Sequence, residues 1–191
     1  MLVVVGGHSR NIGKTTAMEE ILRATPQMRW WAFKITQHGH GVCSEAGSDC
    51  SCAGDLAHPY AIDEETAPSG TDSGRYLRAG AERGFWVRTA VGELGHAMPA
   101  LRQLFAEAPN VLVESNSVLN FVVPDLYFAV VNFNIADMKD SARRFLNRAD
   151  VLVVTGEGPV WGDVPGRWVA KPRITMGELP GYLTGLLKID K

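Results

Sequence analysis

Residues 2 to 16 read Leu-Val-Val-Val-Gly-Gly-His-Ser-Arg-Asn-Ile-Gly-Lys-Thr-Thr, and no other stretch constrains the fold as tightly. A run of apolar, mostly β-branched residues predicts a buried strand, the glycines a turn, and Lys14-Thr15-Thr16 the start of a helix that must end before Pro26. Backbone N–H groups of such a turn converge at a helix N-terminus, where the helix dipole also favours an anion. The loop is therefore read as a phosphate cradle. Gly7, His8, Ser9, Arg10, Asn11, Ile12 and Gly13 would wrap a di- or triphosphate. Lys14 would bridge the outer phosphates, Thr15 would offer its hydroxyl to Mg²⁺, and Thr16 would donate to the inner phosphate. The plainer alternative is an ordinary helix start after a glycine turn, and the strand ahead of it argues against that.

The rest of the chain repeats the same alternation. Strand-like runs at Leu2–Val5, Trp30–Ile35, Phe85–Thr89, Val111–Glu114, Leu126–Val131, Val151–Thr155 and Arg167–Val169 are separated by amphipathic segments. The latter predict helices over Lys14–Ala24, Met98–Ala106, Asp140–Asn147 and Met176–Leu187. This pattern predicts an α/β protein of three layers, a mostly parallel sheet covered by helices on both faces, built as one domain over residues 1–191. One segment breaks the alternation. Residues 37–66, grading into the glycine at 70, are rich in Gly, Ser, Asp, His and Cys without a sustained period, and are read as a functional excursion.

Composition excludes several function classes. With 19 basic and 21 acidic residues the chain has no broad field to attract nucleic acid or a membrane surface. Its apolar runs are strand-sized, far short of the roughly 20 residues that cross a bilayer. The N-terminus lacks the pattern of a signal peptide, so the expected location is cytoplasmic.

A Mg²⁺ site needs a second acidic group near the loop, and Glu114 is the candidate. It follows Asn-Val-Leu-Val, where it would emerge at the carboxyl edge of a buried strand, the edge at which open α/β sheets bind ligands. A capping or salt-bridged carboxylate is the alternative. Asp72, Ser73 and Arg75 form a compact polar set after a glycine turn, suited to reaching a phosphate or its metal across the cleft. Alternatively, Asp72 or Ser73 caps a helix running to Ala81 while Arg75 and Arg78 are solvated. The two readings are compatible.

Five residues separate Gly7 from Gly13, one more than the commonest phosphate-loop spacing, and this lengthening is similar to that of dethiobiotin synthetase-like proteins. Residues 67 to 81, Ala-Pro-Ser-Gly-Thr-Asp-Ser-Gly-Arg-Tyr-Leu-Arg-Ala-Gly-Ala, resemble the Pro-Gly-Lys-Asp-Ser-x-Arg-x-Arg-x-Ala-Gly-Ala signature of the molybdopterin-guanine dinucleotide biosynthesis protein B family. That family also has a Gly-Lys-Thr-Thr loop near its start, a Lys and His after its second strand (here Lys34 and His38), and a strand ending in Glu (here Glu114). The likeness spans roughly residues 2 to 120. It departs in the lengthened loop, in the Cys/His-rich segment, and in Glu114-Ser115-Asn116 where the family has Glu-Gly. The resemblance implies a P-loop GTP-binding accessory protein with weak GTPase activity, a homodimer, and a partner in cofactor biosynthesis.

Every cysteine and three of the five histidines fall between positions 38 and 58: His38, His40, Cys43, Cys50, Cys52 and His58. Thiolates and imidazoles at this density suit Zn²⁺ held by three Cys and one His, or an iron–sulfur cluster with one non-Cys ligand. The spacing matches no common finger or ferredoxin pattern. A redox pair and a polar loop with incidental cysteines are the alternatives. His38 and His40 could instead face the nucleotide, leaving the cysteines with His58. The five tryptophans are read as core or interface filling, Arg143 and Arg144 as solvated, and His96 has no partner legible in the sequence. No Asn-Lys-x-Asp guanine reader is present. Glu157 could accept from a guanine edge, but GTP and ATP remain equal expectations.

The expected function is Mg²⁺-dependent binding and weak hydrolysis of GTP or ATP by an accessory protein of molybdenum-cofactor-type biosynthesis, with Lys14, Asp72 and Glu114 as catalytic residues. The alternatives are a nucleotide-gated metallochaperone using the Cys/His cluster, or an ATP-dependent ligase resembling dethiobiotin synthetase.

Overall fold

The computed structural model describes residues 1–38, 59–156, 158 and 170–188. Among them, eight strands form one sheet in the order β3-β4-β2-β5-β1-β6-β7-β8. The strands are β1 (Leu2–Gly7), β2 (Trp30–His38), β3 (Tyr60–Glu64), β4 (Arg83–Ala90), β5 (Asn110–Glu114), β6 (Leu126–Asn132), β7 (Val151–Gly156) and β8 (Arg173–Thr175). All neighbours pair in parallel except β3, which runs antiparallel to β4 at the edge. Burial on both faces explains why the central strands read as unbroken apolar runs.

Among the described residues five helices cover the sheet: α1 (Lys14–Ala24), α2 (Asp72–Arg78), α3 (Leu94–Glu107), α4 (Asp140–Phe145) and α5 (Leu179–Leu187). On one face Met18, Ile21 and Leu22 of α1, Tyr76 of α2 and Leu179 and Leu183 of α5 pack on Val3, Val5, Ala32 and Val130. On the other, Leu94, Met98 and Leu101 of α3 and Phe145 of α4 pack on Val4, Phe33, Val113 and Val131. None of the described helices is long and apolar enough to cross a membrane.

The three-layer expectation holds, and the differences are local. β2 continues through Gln37 and His38, and Tyr60–Glu64 is a strand, so both ends of the presumed 37–66 excursion belong to the sheet. The edge strand is short and polar on one side, a pattern without apolar alternation. Arg83 and Arg88 of β4 clamp it, pairing at 2.6 Å with Glu64 and Asp63. Arg83 also lies 4.1 Å over the ring of Trp31. Helix α3 starts at Leu94, four residues before the expected Met98, and carries Pro99 inside it. That proline hid the first turn, since it cannot donate to the carbonyl four residues back. β8 is a three-residue strand too short to leave a periodic signal, while the expected strand at 167–169, Trp161 and Trp168 lie outside the described residues. His96 does have a partner, Glu93 at 2.7 Å.

The end of α1 is tied to β2 by a buried relay. Thr25 is fully buried, donates its hydroxyl to the Ile21 carbonyl at 2.7 Å, and accepts from Trp30 Nε1 at 2.8 Å. Thr25→Val keeps the shape but strands the indole N–H, so urea denaturation should show a loss of about 1–3 kcal/mol.

Candidate functional site

The phosphate loop sits where the topology changes direction, with β1 flanked by β5 on one side and β6 on the other. Its turn uses left-handed backbone at Asn11 (φ 52°) and Gly13 (φ 98°), the second of which suits a glycine immediately before α1. Neighbouring strands hold the loop in place. The Asn116 side chain clasps the Gly7 peptide from both sides, accepting from its N–H at 2.9 Å and donating to its carbonyl at 2.8 Å. Thr155 at the end of β7 donates to the Ile12 carbonyl at 3.0 Å, and Ser9 Oγ donates to Asp137 at 2.6 Å.

Four residues from four elements meet beneath the loop. The Glu114 carboxylate, 3% exposed, accepts from Thr15 Oγ1 at 3.0 Å, from Lys34 Nζ at 2.5 Å and from Tyr76 OH at 2.5 Å. Lys34 Nζ also pairs with Asp72 at 2.8 Å. Burial alone would raise the Glu114 pKa, but Lys34, Lys14 and the hydrogen bonds outweigh it, and the carboxyl is held below its ordinary range. Burial alone would likewise lower Lys34, and the carboxylates Glu114 and Asp72 turn the balance upward. Burial pushes the Tyr76 hydroxyl well up, reinforced by Glu114, so it stays a donor. Lys14 is lowered by burial, against the pull of Glu114, and its Nζ donates to the Ser9 carbonyl at 2.8 Å.

The donor set is one of hard oxygens, a threonine hydroxyl beside a carboxylate at the foot of a phosphate loop, with Asp72 one lysine away. It fits Mg²⁺ and is unlike the sulfur and imidazole sets of zinc.

Two cavities open from the loop. One of about 1280 Å³ runs over Lys14, Thr15, Lys34, Asp72, Glu114 and Lys139. The other, of about 870 Å³, lies beside Gly13, Thr16, Asn132, Thr155 and Met176. Together they give an elongated ligand a path from the late strands across the loop to Glu114.

The placement of the expected site residues is uneven. Gly7, Arg10, Asn11, Ile12, Gly13, Lys14, Thr15 and Thr16 line the larger cleft, as do Asp72, Ser73, Arg75 and Glu114. The His8 ring is fully buried, its Nε2 lies 3.2 Å from the Ile135 carbonyl, and His8 lines neither cavity. Burial lowers its pKa. Ser9 is spent on Asp137, and Ser73 Oγ donates to Glu65 at 2.5 Å. Arg75 is held in a fork by Glu19 of α1 at 3.0 and 3.1 Å. The helix over the signature is real, but its cap is Thr71, whose hydroxyl accepts from Gly74 N–H at 3.0 Å, and not Asp72 or Ser73. His38 is buried at the end of β2. His40, Cys43, Cys50, Cys52 and His58, and Glu157, lie outside the described residues.

Lys34, Tyr76, Asn116, Asp137 and Lys139 were not singled out as site residues from composition or spacing. For Lys34 a signal existed: a lysine inside the apolar run Trp30–Ile35 must find a buried anion. Asp137 and Lys139 follow β6 at the carboxyl edge of the sheet without any periodic cue.

No family model and no curated protein matches the sequence. Among solved structures, the "apo" form of LpxK from Aquifex aeolicus in complex with ATP superposes with a TM-score of 0.52 at 15% identity, over 91% of this chain and 53% of that one. The chain thus spans about half the length of that protein. A MobB protein homolog from Bacillus stearothermophilus aligns with a TM-score of 0.46 at 15% identity, over 98% of this chain and 95% of that one. Sheet, helices on both faces and a phosphate loop between β1 and α1 make this the three-layer α/β fold of the P-loop NTPases.

Proposed function

We propose that the protein binds a nucleoside triphosphate, GTP or ATP, with Mg²⁺ and hydrolyses it slowly, as an accessory NTPase of molybdenum-cofactor-type biosynthesis. The observation that carries the nucleotide reading is the meeting of Lys14, Thr15 and Glu114, with Thr15 Oγ1 3.0 Å from the Glu114 carboxylate at the foot of the loop. Thr15 and Glu114 are the residues that would hold Mg²⁺, which when bound neutralises charge on the outer phosphates.

The chain's own groups do the rest. Loop N–H groups and Lys14 cradle the phosphates. Asp72, 39% exposed on its side chain and paired with Lys34, is the group in the cleft that can orient an attacking water and accept its proton. Electrostatic positioning supplies most of the catalysis in such sites. The assignment to cofactor biosynthesis rests on the Asp72–Ala81 resemblance, and with it come the homodimer and the protein partner. Its support is that the signature folds as α2 and brings Asp72 to the cleft and Tyr76 to Glu114. Residues 1–191 act as one domain in this reading.

Calorimetric titration with GTP and with ATP, with and without Mg²⁺, tests it. Saturable binding that tightens with Mg²⁺, accompanied by slow phosphate release, is the expected result. Binding of neither nucleotide would overturn the proposal, and the ratio of the two affinities reads the base preference.

A further inference from the structure

The segment after β6 is stitched to the phosphate loop at two points. Lys139 N–H donates to the His8 carbonyl at 2.9 Å, and Asp137 accepts from Ser9 Oγ at 2.6 Å. Lys139 lines the cleft that holds Lys14, Lys34 and Glu114, and does not line the cavity beside Asn132, Thr155 and Met176. Among the described residues Lys139 makes no ion pair within 4 Å. The nearest carboxylate along the chain on its N-terminal side, Asp137, is engaged by Ser9.

We propose that Lys139 is a second ammonium ligand of the terminal phosphate of a bound nucleoside triphosphate, sharing that phosphate with Lys14. The inference rests on the nucleotide reading above and adds a residue that neither the loop spacing nor the family resemblance supplies. The terminal phosphate is favoured over the inner ones because Lys139 lines the same cavity as Glu114 and Asp72, while the cavity beside Asn132 and Met176 contains none of the three.

The charge environment agrees with the geometry. The groups around Lys139 are Lys14 and Arg10 of the loop, Lys34 of β2, Glu114 of β5, Asp72 of α2, and Asp137 and Asp140 beside it in the chain. Burial first, then Lys14, Arg10 and Lys34, push its pKa down to about 8, with Glu114 opposing. An ammonium placed among like charges is costly until an anion arrives, and a phosphate supplies that anion.

A pH dependence follows. Phosphate binding stabilises the ammonium and raises its pKa, so the affinity contributed by Lys139 is fully present below about pH 8, declines above it, and is lost as pH rises through the raised value of the bound state. The experiment measures affinity for the β,γ-imido analogues of ATP and GTP, and for ADP and GDP, with Mg²⁺ between about pH 7 and 9.5. Lys139→Gln should weaken the triphosphate analogues by about tenfold or more while leaving the diphosphates within about twofold. Lys139→Arg should retain triphosphate affinity and lose the decline above about pH 8, since a guanidinium does not titrate there. An unchanged triphosphate-to-diphosphate ratio in Lys139→Gln, or a decline above about pH 8 as large in Lys139→Arg as in the parent, would overturn the proposal while leaving the nucleotide reading intact. Failure of the parent protein to bind any of the four nucleotides would overturn both.

Discussion

Lys14→Ala is expected to weaken Mg²⁺-nucleotide binding by about 100-fold, the scale of one charge-assisted hydrogen bond lost in a buried site. Lys14 opens α1 directly after the left-handed Gly13, and its Nζ lies at the Ser9 carbonyl on the inner side of the loop. Its pKa is lowered, by burial above all, so the folded protein bears a cost for the charged form in the absence of an anion. The same variant should therefore be as stable as the parent, or slightly more stable, in urea titrations without nucleotide. Loss of binding with retained stability separates a ligand-holding lysine from a structural one. Unchanged affinity in Lys14→Ala would remove the loop from nucleotide binding.

Glu114→Gln should lower Mg²⁺-dependent phosphate release by on the order of 100-fold, the cost typical of removing one preorganised electrostatic group. The amide keeps the shape but turns one acceptor into a donor where Thr15, Lys34 and Tyr76 all donate. It also leaves Lys34 paired with Asp72, at 2.8 Å. Removing one member of a buried ion pair costs about 3–5 kcal/mol. Because Lys34 keeps Asp72, the loss in urea denaturation should fall nearer about 2 kcal/mol.

The pH profile of this variant carries a sign. The folded-state pKa of Glu114 is depressed, so its contribution is present above the unfolded carboxyl value and is lost as pH falls through the folded one. Stability of the parent should drop on acidification, and that component should be absent from Glu114→Gln. An equal acid-induced drop in both proteins would show that Glu114 is not the group responsible.

Much of the frame is legible in the sequence. Six of the eight described strands were anticipated because buried parallel strands write themselves as apolar runs. The phosphate loop is legible because its chemistry lies in consecutive residues: a strand, a glycine turn ending in the left-handed Gly13, and a lysine at a helix start. The short edge strand β3 was not, since its strength comes from Arg83 and Arg88 on its neighbour and not from its own apolar pattern. The sequence offers Asp72 or Ser73 as the helix cap, and only the hydrogen bond to Gly74 N–H assigns it to Thr71.

What the sequence by itself determined is thus local: strand, turn, helix start and the residue types able to hold a phosphate and a hard cation. Only the tertiary structure decided which of those residues are partners. Glu114 meets Lys34 across 80 positions and Thr15 across 99, through the placing of β5 between β2 and β1. His8 was lost from the cleft and Lys139 gained by the same means. A side chain's identity does not say which way it faces, whereas strand order and the packing of α2 and the segment after β6 do.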